Sequence, residues 1–352
     1  MQMHHHTYSL EPFCSGHRRA FTLIEVLVVI GIIGLLIALI FPAVMSARAT
    51  ANRLECQNRM RQWGIALLGY ESAHRSLPFG YDLDGQGLPL KVQWTSPQVR
   101  CLPYLEQAAA YDQIMAASDR SSGSKAMKFQ FAVFHCPMDD VRTGLNYRTC
   151  TGGGFLDSLP TKSVLRNREA GIFPASASWV APKLSEIGDG LSHTAAMSER
   201  LISRGYSGSY DRKRDIWYSG ATELGFNVSL ETVDAAAAIC RKAPSDPSPF
   251  YKPFAGTNYA EHGLDYTWYN HGLPPNSDTP DCSLGTLDVT DPSHTDVGGT
   301  MPFALVSARS EHRDGTVSVL LMDGSVRLIP QSVDTTAWRA LATSNGGDVN
   351  LD

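Results

Sequence analysis

Residues 18–44, RRAFTLIEVLVVIGIIGLLIALIFPAV, decide how this chain is organised. Two arginines precede a run from Val26 to Phe41 in which no side chain is polar. A helix from Phe21 to Val44, rising about 1.5 Å per residue, is long enough to cross a hydrocarbon core of roughly 30 Å. Because Arg18 and Arg19 lie on the short N-terminal side, the sequence predicts a single-pass protein of the cytoplasmic membrane with its N-terminus inside.

One charged residue, Glu25, lies in the apolar stretch. A carboxylate at that depth costs several kcal/mol unless it is paired, and such residues usually serve a function. An ordinary secretory signal peptide is the alternative, but its apolar core has about 7–15 residues and ends at a small-residue cleavage site, which is not evident here. Cleavage before Phe21 would place a new α-amino group four residues from Glu25, and that amine in a neighbouring subunit could neutralise the carboxylate.

The stretch from Phe21 to Val44 resembles the N-terminal signal of type IV prepilins and type II secretion pseudopilins. In that family a dedicated peptidase cuts before the Phe and methylates it, and the Glu guides assembly into a filament. The resemblance implies cleavage between Ala20 and Phe21, an assembly role for Glu25 and a stem kink at Pro42. It also implies three partners: the membrane, the prepilin peptidase and other pilin-like subunits. This chain has Ala20 where the family normally has Gly.

Composition predicts an exported globular head after the stem. The chain has 352 residues, of which 43% are hydrophobic, enough for one large or two medium globular units. Without residues 1–20, which contribute two Arg and one Glu, 28 positive and 34 negative side chains remain. A mildly acidic head without a basic cluster argues against nucleic acid as a partner.

Cysteine usage also indicates an extracytoplasmic head. One of the seven cysteines, Cys14, lies in the predicted leader, residues 1–20. The other six allow up to three disulfides with fifteen possible pairings, and free buried thiols are the alternative. These six are Cys56, Cys101, Cys136, Cys150, Cys240 and Cys282. Because no C-x-x-C or Cys/His spacing of a zinc site is present, we predict no metal site and no cofactor.

The helical pattern continues beyond the membrane segment. Apolar residues from Ala47 to Tyr70 recur mostly every three or four positions among charged residues. This spacing predicts one helix from Phe21 to Ser72, ended by Leu77-Pro78-Phe79-Gly80. Residues 21–44 would lie in the membrane or filament core, and residues 45–75 would be the soluble continuation.

Residues 76–352 are predicted to form an extracytoplasmic α+β head, periplasmic or on the cell surface. In this fold the long pilin-like helix packs on a mainly antiparallel sheet with long loops. The stretch from Val99 to Met115 is predicted to be helical after Pro103. Met127 to His135 and Thr194 to Glu199 have patterns typical of strands.

The C-terminus predicts a hairpin over residues 316–329 and a short helix. Thr316 to Met322 and Ser325 to Ile329 flank a two-residue Asp-Gly link, which pairs Met322 with Ser325 and Leu321 with Val326. Asp334 or Thr335 would then cap a helix from Ala337 to Thr343.

Together with the stem, this tail resembles a bacterial family known as domain of unknown function 1559, which has a C-terminal motif of His, nine residues, then Asp-Gly. Here ten residues separate His312 from Asp323-Gly324. The resemblance extends over nearly the whole chain and implies localisation and architecture but little chemistry. The other matching segments are Glu55–Asn58, Leu77–Pro78, Leu102–Gln107, Gly188–Thr194, Trp338–Thr343 and Asn345–Gly347.

Three groups of residues have side chains of the types found in functional sites. His312, Asp314 and Asp323 have the residue types of a hydrolytic or metal site, but turn and hydrogen-bond roles are favoured. A second cluster, surrounded by aromatic residues, suits a sugar or protein ligand, with core packing as the favoured alternative; it comprises His262, Asp265, Trp268 and His271. Residues 82–87 resemble the start of a calcium loop, without an acidic residue at the closing position.

No catalytic residue is therefore predicted, and the chain is not expected to be an enzyme. The favoured function is that of a pilin-like or pseudopilin-like assembly protein. A membrane-anchored glycan- or protein-binding protein that uses the prepilin signal for export is the alternative.

Overall fold

The structure is a computed structural model. It describes residues 22–78, 95–116, 129–154, 171–173, 183–205, 209–219, 230–245, 247, 251–261, 263–284 and 304–346. The chain divides into two compact units, Met1–Arg48 and Ala49–Asp352, which are described separately below.

The first helix, α1, extends from Leu23 to His74 and continues through Pro42. The prediction of one helix is confirmed, and its C-terminal end differs from the predicted one by two residues. In the first unit, the large apolar side chains from Leu23 to Val44 are all exposed. The apolar part of α1 is long enough to span a membrane, judged by length and composition. The predicted kink at Pro42 and the predicted domain boundaries stay predictions.

In the second unit, α1 carries a buried face. Cys56, Met60, Trp63 and Leu67 recur every three or four residues and are each almost completely inaccessible to solvent. This spacing places them on one side of the helix, where they form part of the main core.

The other helices of the described residues are short. They are α2 (Pro97–Arg100), α3 (Ala108–Met115), α4 (Leu230–Cys240) and α5 (Thr335–Ala340), with 3₁₀ turns at Leu102–Leu105, Ala132–Phe134, Leu184–Glu186 and Leu191–His193.

The part of the chain that the structure describes contains nine strands in two sheets. The strands are β1 (Tyr147–Cys150), β2 (Ala195–Glu199), β3 (Ile216–Tyr218), β4 (Tyr251–Lys252), β5 (Trp268–Tyr269), β6 (Cys282–Ser283), β7 (Ala304–Leu305), β8 (Thr316–Leu321) and β9 (Val326–Pro330). The larger sheet has the order β5-β1-β2-β8-β9, and the smaller one has the order β4-β3-β6-β7. All pairs are antiparallel except β1 with β5 and β3 with β6. The predicted α+β fold, with a long helix and mainly antiparallel strands, is confirmed.

Strand β8 is covered on both faces. Leu320 packs in the same core as Met60 and Trp63 of α1. Val319 and Leu321, on the opposite face, pack in a second core with Trp338 of α5. A strand buried on both faces needs apolar side chains in both directions, which explains its continuous apolar run.

The C-terminal hairpin forms, but its predicted register is wrong by one residue. Leu320, not Leu321, lies opposite Val326. The loop has three residues instead of two, because the Leu321 amide donates to the Ser325 carbonyl at 2.8 Å and the Gly324 amide to the Leu321 carbonyl at 3.0 Å. Gly324 has φ 84°, which fits a turn followed by a glycine bulge.

The predicted strand from Met127 to His135 is also wrong over its described residues, 129–135. They contain a 3₁₀ turn at Ala132–Phe134. Arg59 Nη1 of α1 donates to the carbonyl oxygens of Ala132 and His135 at 2.7 and 2.6 Å. A side chain of the helix thus occupies acceptors that a neighbouring strand would need.

The structure confirms one further prediction and revises two others. The Thr194 to Glu199 strand is confirmed as β2. The helix predicted after Pro103 is interrupted, because Glu106 adopts a left-handed conformation with φ 61° between the 3₁₀ turn and α3. Of the two proposed caps for α5, Asp334 is the one observed, accepting from the Ala337 amide at 2.9 Å. That helix ends at Ala340, three residues earlier than predicted.

Candidate functional site

Reciprocal hydrogen bonds join Thr22 and Glu25 at the start of the described part of the N-terminal signal. The Glu25 carboxylate accepts from the Thr22 amide at 2.8 Å and from the Thr22 hydroxyl at 2.7 Å. The Glu25 amide lies 3.4 Å from the Thr22 hydroxyl oxygen, to which it donates. This is the capping-box arrangement of a helix N-terminus. The Thr-x-x-Glu spacing is the sequence signal for this capping box. The capping hydrogen bonds give Glu25 a local structural role in addition to its charge. Ala20 and Phe21 lie outside the described residues.

Four side chains that are distant in sequence meet in the interior of the second unit. One ligand-type atom from each lies within 4.8 Å of the others. We call these residues the thiol cluster: Cys56 of α1, Cys136, Glu199 at the end of β2, and His312 before β8.

The thiol cluster contains a disulfide and a buried contact between a histidine and a carboxyl group. Cys56 and Cys136 are joined by the disulfide. His312 Nε2 lies 3.8 Å from Cys136 Sγ and 3.4 Å from Glu199 Oε2. The Ser318 amide of β8 donates to the same Glu199 oxygen at 3.1 Å. The histidine nitrogen therefore faces a sulfur and a carboxylate simultaneously.

Burial dominates the electrostatics of this cluster. It raises the pKa of Glu199, and the nearby His312 opposes that shift. Within the described part of the chain, Glu199 Oε1 and His312 Nδ1 have no hydrogen-bond partner. Burial, with the charges of Arg142 and Arg59, also lowers the pKa of the neighbouring His135 to about 4. Buried polar atoms without a hydrogen-bond partner are uncommon in a protein interior, and among the described residues this cluster has two of them.

The structure does not bring the residues of the first sequence-based cluster together around one point. His312 precedes β8 and is buried, whereas Asp323 follows β8 and is exposed. Asp323 Oδ1 accepts from the Ser325 amide at 2.8 Å, and Asp314 forms an ion pair with Arg53. Asp323 therefore accepts a hydrogen bond within the hairpin turn, where Gly324 has φ 84°.

The second sequence-based cluster lies in the interior. Asp265, Trp268 and His271 are buried, and His262 lies outside the described residues. The His271 ring stacks on Trp338 with a centroid distance of 3.5 Å. A ligand would have to displace protein atoms to reach these side chains, so their arrangement favours core packing.

The six candidate cysteines include two disulfide pairs. Besides the pair in the thiol cluster, Cys240 is bonded to Cys282. Cys101 and Cys150 are buried free thiols. Burial raises the pKa of Cys150 to about 12 and that of Cys101 further, so both stay protonated and unreactive at neutral pH. The calcium-like stretch, residues 82–87, lies outside the described residues.

A buried charge network, which no local sequence pattern indicates, lies next to the second disulfide. Asp281 accepts from Arg200 at 2.7 Å and from Arg309 at 2.9 Å, and all three side chains are buried. The Ser307 hydroxyl donates to Asp281 at 2.7 Å. Burial alone would raise the pKa of Asp281, but the two guanidinium groups hold it below its usual value. Because the charges are closely paired, this network is structural.

A long exposed apolar helix that begins with a capped Thr-x-x-Glu sequence, in a chain with an α+β head, fits the class of prepilin-like, membrane-anchored proteins. Comparison with known families gives the same class: residues 16–41 match the prokaryotic N-terminal methylation motif. Residues 45–336 match the family described as protein of unknown function (DUF1559), and the chain belongs to that family. No curated protein and no solved structure matches it. Neither family description names an enzymatic activity. The His-X9-Asp-Gly motif stays a prediction.

Proposed function

We propose that this protein is a pilin-like or pseudopilin-like assembly subunit of a secretion or surface filament system. A prepilin peptidase cuts it before Phe21, residues 21–44 anchor it in the cytoplasmic membrane, and its head lies outside the cytoplasm. The match of residues 16–41 to the N-terminal methylation motif carries this proposal.

The exposed stem supports the membrane and subunit partners. From Leu23 to Val44 its large apolar side chains face outward in the isolated chain. Soluble monomers rarely expose a contiguous apolar surface of more than a few hundred Å². Lipid tails before assembly, and neighbouring stems after it, would cover this surface.

Glu25 supplies the specificity of assembly. Its carboxylate accepts two hydrogen bonds from Thr22, and neither of these neutral donors cancels a negative charge. In an apolar environment that charge needs a positive partner. The α-amino group of Phe21 in a neighbouring processed subunit provides one, so stems would pack in a defined register.

The mass of the mature N-terminus tests the processing step. We expect intact-protein mass spectrometry of the membrane fraction to show a chain that begins at N-methyl-Phe21. The variant Ala20→Gly, which restores the residue usual in the family, serves as a matched control and should be processed at least as completely. An unprocessed chain that retains Met1, together with a processed Ala20→Gly variant, would contradict cleavage of the natural sequence.

Two substitutions of Glu25 separate its charge from its capping role. Glu25→Gln removes the charge but can keep the hydrogen bonds to Thr22, whereas Glu25→Ala removes both. We expect both variants to insert into the membrane and neither to assemble, measured by cross-linking of neighbouring stems. Assembly of the Gln variant alone would show that capping is sufficient, and assembly of both would refute a role for Glu25.

The alternative function is ligand binding by a membrane-anchored head, for which the burial of Asp265, Trp268 and His271 gives no support. Glycan or protein capture by the full-length protein, with loss of capture in Trp268→Ala, would favour it.

A further inference from the structure

The thiol cluster contains the side-chain types that bind zinc, and the fold assembles them from four separate parts of the chain. We infer that the reduced form of the thiol cluster is a zinc-binding site, which exchanges with the Cys56–Cys136 disulfide. This inference does not depend on filament assembly.

The spacing of the cluster already fits part of a zinc coordination sphere. Zinc–sulfur bonds of about 2.3 Å and zinc–nitrogen or zinc–oxygen bonds of about 2.0–2.1 Å place tetrahedral ligands roughly 3.3–3.8 Å apart. The distance from Cys136 Sγ to His312 Nε2 is 3.8 Å, and that from His312 Nε2 to Glu199 Oε2 is 3.4 Å. Two edges of the tetrahedron are therefore present before any metal binds. For the other edges, the bonded sulfur atoms of Cys56 and Cys136 have to separate, and ligand atoms that lie within 4.8 Å of one another have to move closer together.

Reduction and metal binding are balanced as two steps. A dithiol reductant gives two electrons and two protons to the disulfide, which becomes two thiols while the reductant becomes a disulfide. Zn²⁺ then displaces the two thiol protons and forms two Zn–S bonds. Neutral His312 and the carboxylate of Glu199 complete four ligands, the usual number for a structural zinc site.

The buried polar atoms of the cluster point to the same ligand. Glu199 and His312 are 1% and 6% exposed. Among the described residues, Glu199 Oε1 and His312 Nδ1 have no hydrogen-bond partner, so the carboxylate depends on the Ser318 amide and on the histidine. A divalent cation compensates a buried carboxylate more fully than one imidazole does.

The elements around the cluster hold its ligands in place when the disulfide opens. Cys56 belongs to α1, which is anchored in the core by Trp63. Glu199 ends β2, where it pairs with Tyr147 of β1. Because these positions do not rely on the disulfide alone, coordination to zinc would replace the covalent link between α1 and the segment that contains Cys136.

The test uses the full-length protein in detergent. One sample is reduced anaerobically with a phosphine, which is removed by gel filtration, and a second sample is kept oxidised. Zn²⁺ is titrated into each in competition with a chromophoric chelator, and Co²⁺ serves as a spectroscopic probe. We expect one equivalent of Zn²⁺ in the reduced sample and none in the oxidised one. Co²⁺ should give thiolate charge-transfer bands and the intense visible bands of tetrahedral coordination.

Matched variants locate the site. The double variant Cys240→Ser, Cys282→Ser removes the other disulfide and should bind zinc as the natural protein does. Glu199→Gln and His312→Gln should each weaken zinc binding by more than about 100-fold, since loss of outer-shell partners alone costs 10–100-fold. Near-ultraviolet circular dichroism identifies variants that have not folded. If a variant has not folded, the Co²⁺ spectrum of the natural sequence shows whether thiolates bind the metal. Absence of zinc binding in the reduced protein, absence of thiolate bands, or unchanged affinity in folded Glu199→Gln and His312→Gln would each overturn the inference.

Discussion

His271 lies in the core of the second unit, with both ring nitrogens hydrogen-bonded. Nδ1 donates to the Trp338 carbonyl oxygen at 2.6 Å, and Nε2 accepts from the Tyr269 hydroxyl at 3.0 Å. With the Tyr269 bond in this direction the ring is neutral, because a protonated Nε2 has no lone pair to accept a hydrogen bond. Burial lowers the pKa of His271 to about 3 in spite of the bond to Trp338.

This pKa predicts a loss of stability in mild acid. In the unfolded chain His271 has a pKa of about 6.5, so below that pH the unfolded state binds one proton more than the folded state. The free energy of unfolding should therefore fall by about 1.4 kcal/mol per pH unit between pH 6.5 and the folded pKa, on account of this residue alone.

Urea unfolding of His271→Gln and of the natural sequence between pH 7 and 5 measures this contribution. The variant should show a shallower dependence on pH, by about one proton. His193→Gln, at an exposed histidine, is the control and should leave the dependence unchanged. Equal slopes in His271→Gln and the natural protein would mean that His271 titrates normally in the folded state.

At the scale of elements, α1 approaches the turn of the β8–β9 hairpin at Gly64. A Cβ atom at this position would lie 2.9 Å from Leu320 Cδ1 and 3.2 Å from the Cα of Gly324. Two glycines, one on each element, therefore permit the close contact. The Asp-Gly pair noticed in the sequence thus serves both the turn and the packing of the helix.

We predict that Gly64→Ala destabilises the protein. Alanine favours the helix by up to about 1 kcal/mol, but overpacking against the hairpin backbone costs about 1–3 kcal/mol. The net loss of about 1 kcal/mol should appear as a lower urea midpoint. Ile65→Ala, at a side chain that is 70% exposed, is the neighbouring control and should change the midpoint little. A Gly64→Ala variant as stable as the natural protein would show that the hairpin can move away from α1.

The sequence predicts the bounds and the register of some elements better than those of others. The apolar spacing of α1 predicted its extent, because the pattern stays helical from the membrane segment into the head. The Asp-Gly pair predicted the hairpin but not its register. Strand β8 is apolar on both faces, so alternation gives no information on which residues face α1. The residues around Ala132 escaped prediction because their carbonyl groups bind Arg59, far away in the sequence.

At the scale of the whole molecule, the thiol cluster could not be predicted from cysteine spacing. Its members are numbered 56, 136, 199 and 312, and only the fold brings them within 4.8 Å. Glu199 carried no signal, since it ends an ordinary short strand. The N-terminal signal, in contrast, could be predicted from the sequence, because Glu25 belongs to a local pattern of neighbouring residues.

The same fold determines where the head can be separated from its stem. Met60, Trp63 and Leu67 of α1 are buried in the main core. Removing such side chains costs about 2–5 kcal/mol each, whereas the total stability of a domain is about 5–15 kcal/mol. We therefore predict that residues 49–352 form a soluble, folded monomer and that residues 76–352 do not fold.

Gel filtration and near-ultraviolet circular dichroism distinguish these outcomes. Removal of residues 49–75 also deletes Cys56, so the variant Cys56→Ser in residues 49–352 is the control for loss of the disulfide. It should stay folded but lose about 2–5 kcal/mol, because the disulfide mainly restricts the unfolded chain. If residues 76–352 gave the same spectrum as residues 49–352, the core contacts of α1 would be dispensable and the head would be an independent domain. If they aggregate while Cys56→Ser stays folded, the buried face of α1 belongs to the head and the stem proper ends before it.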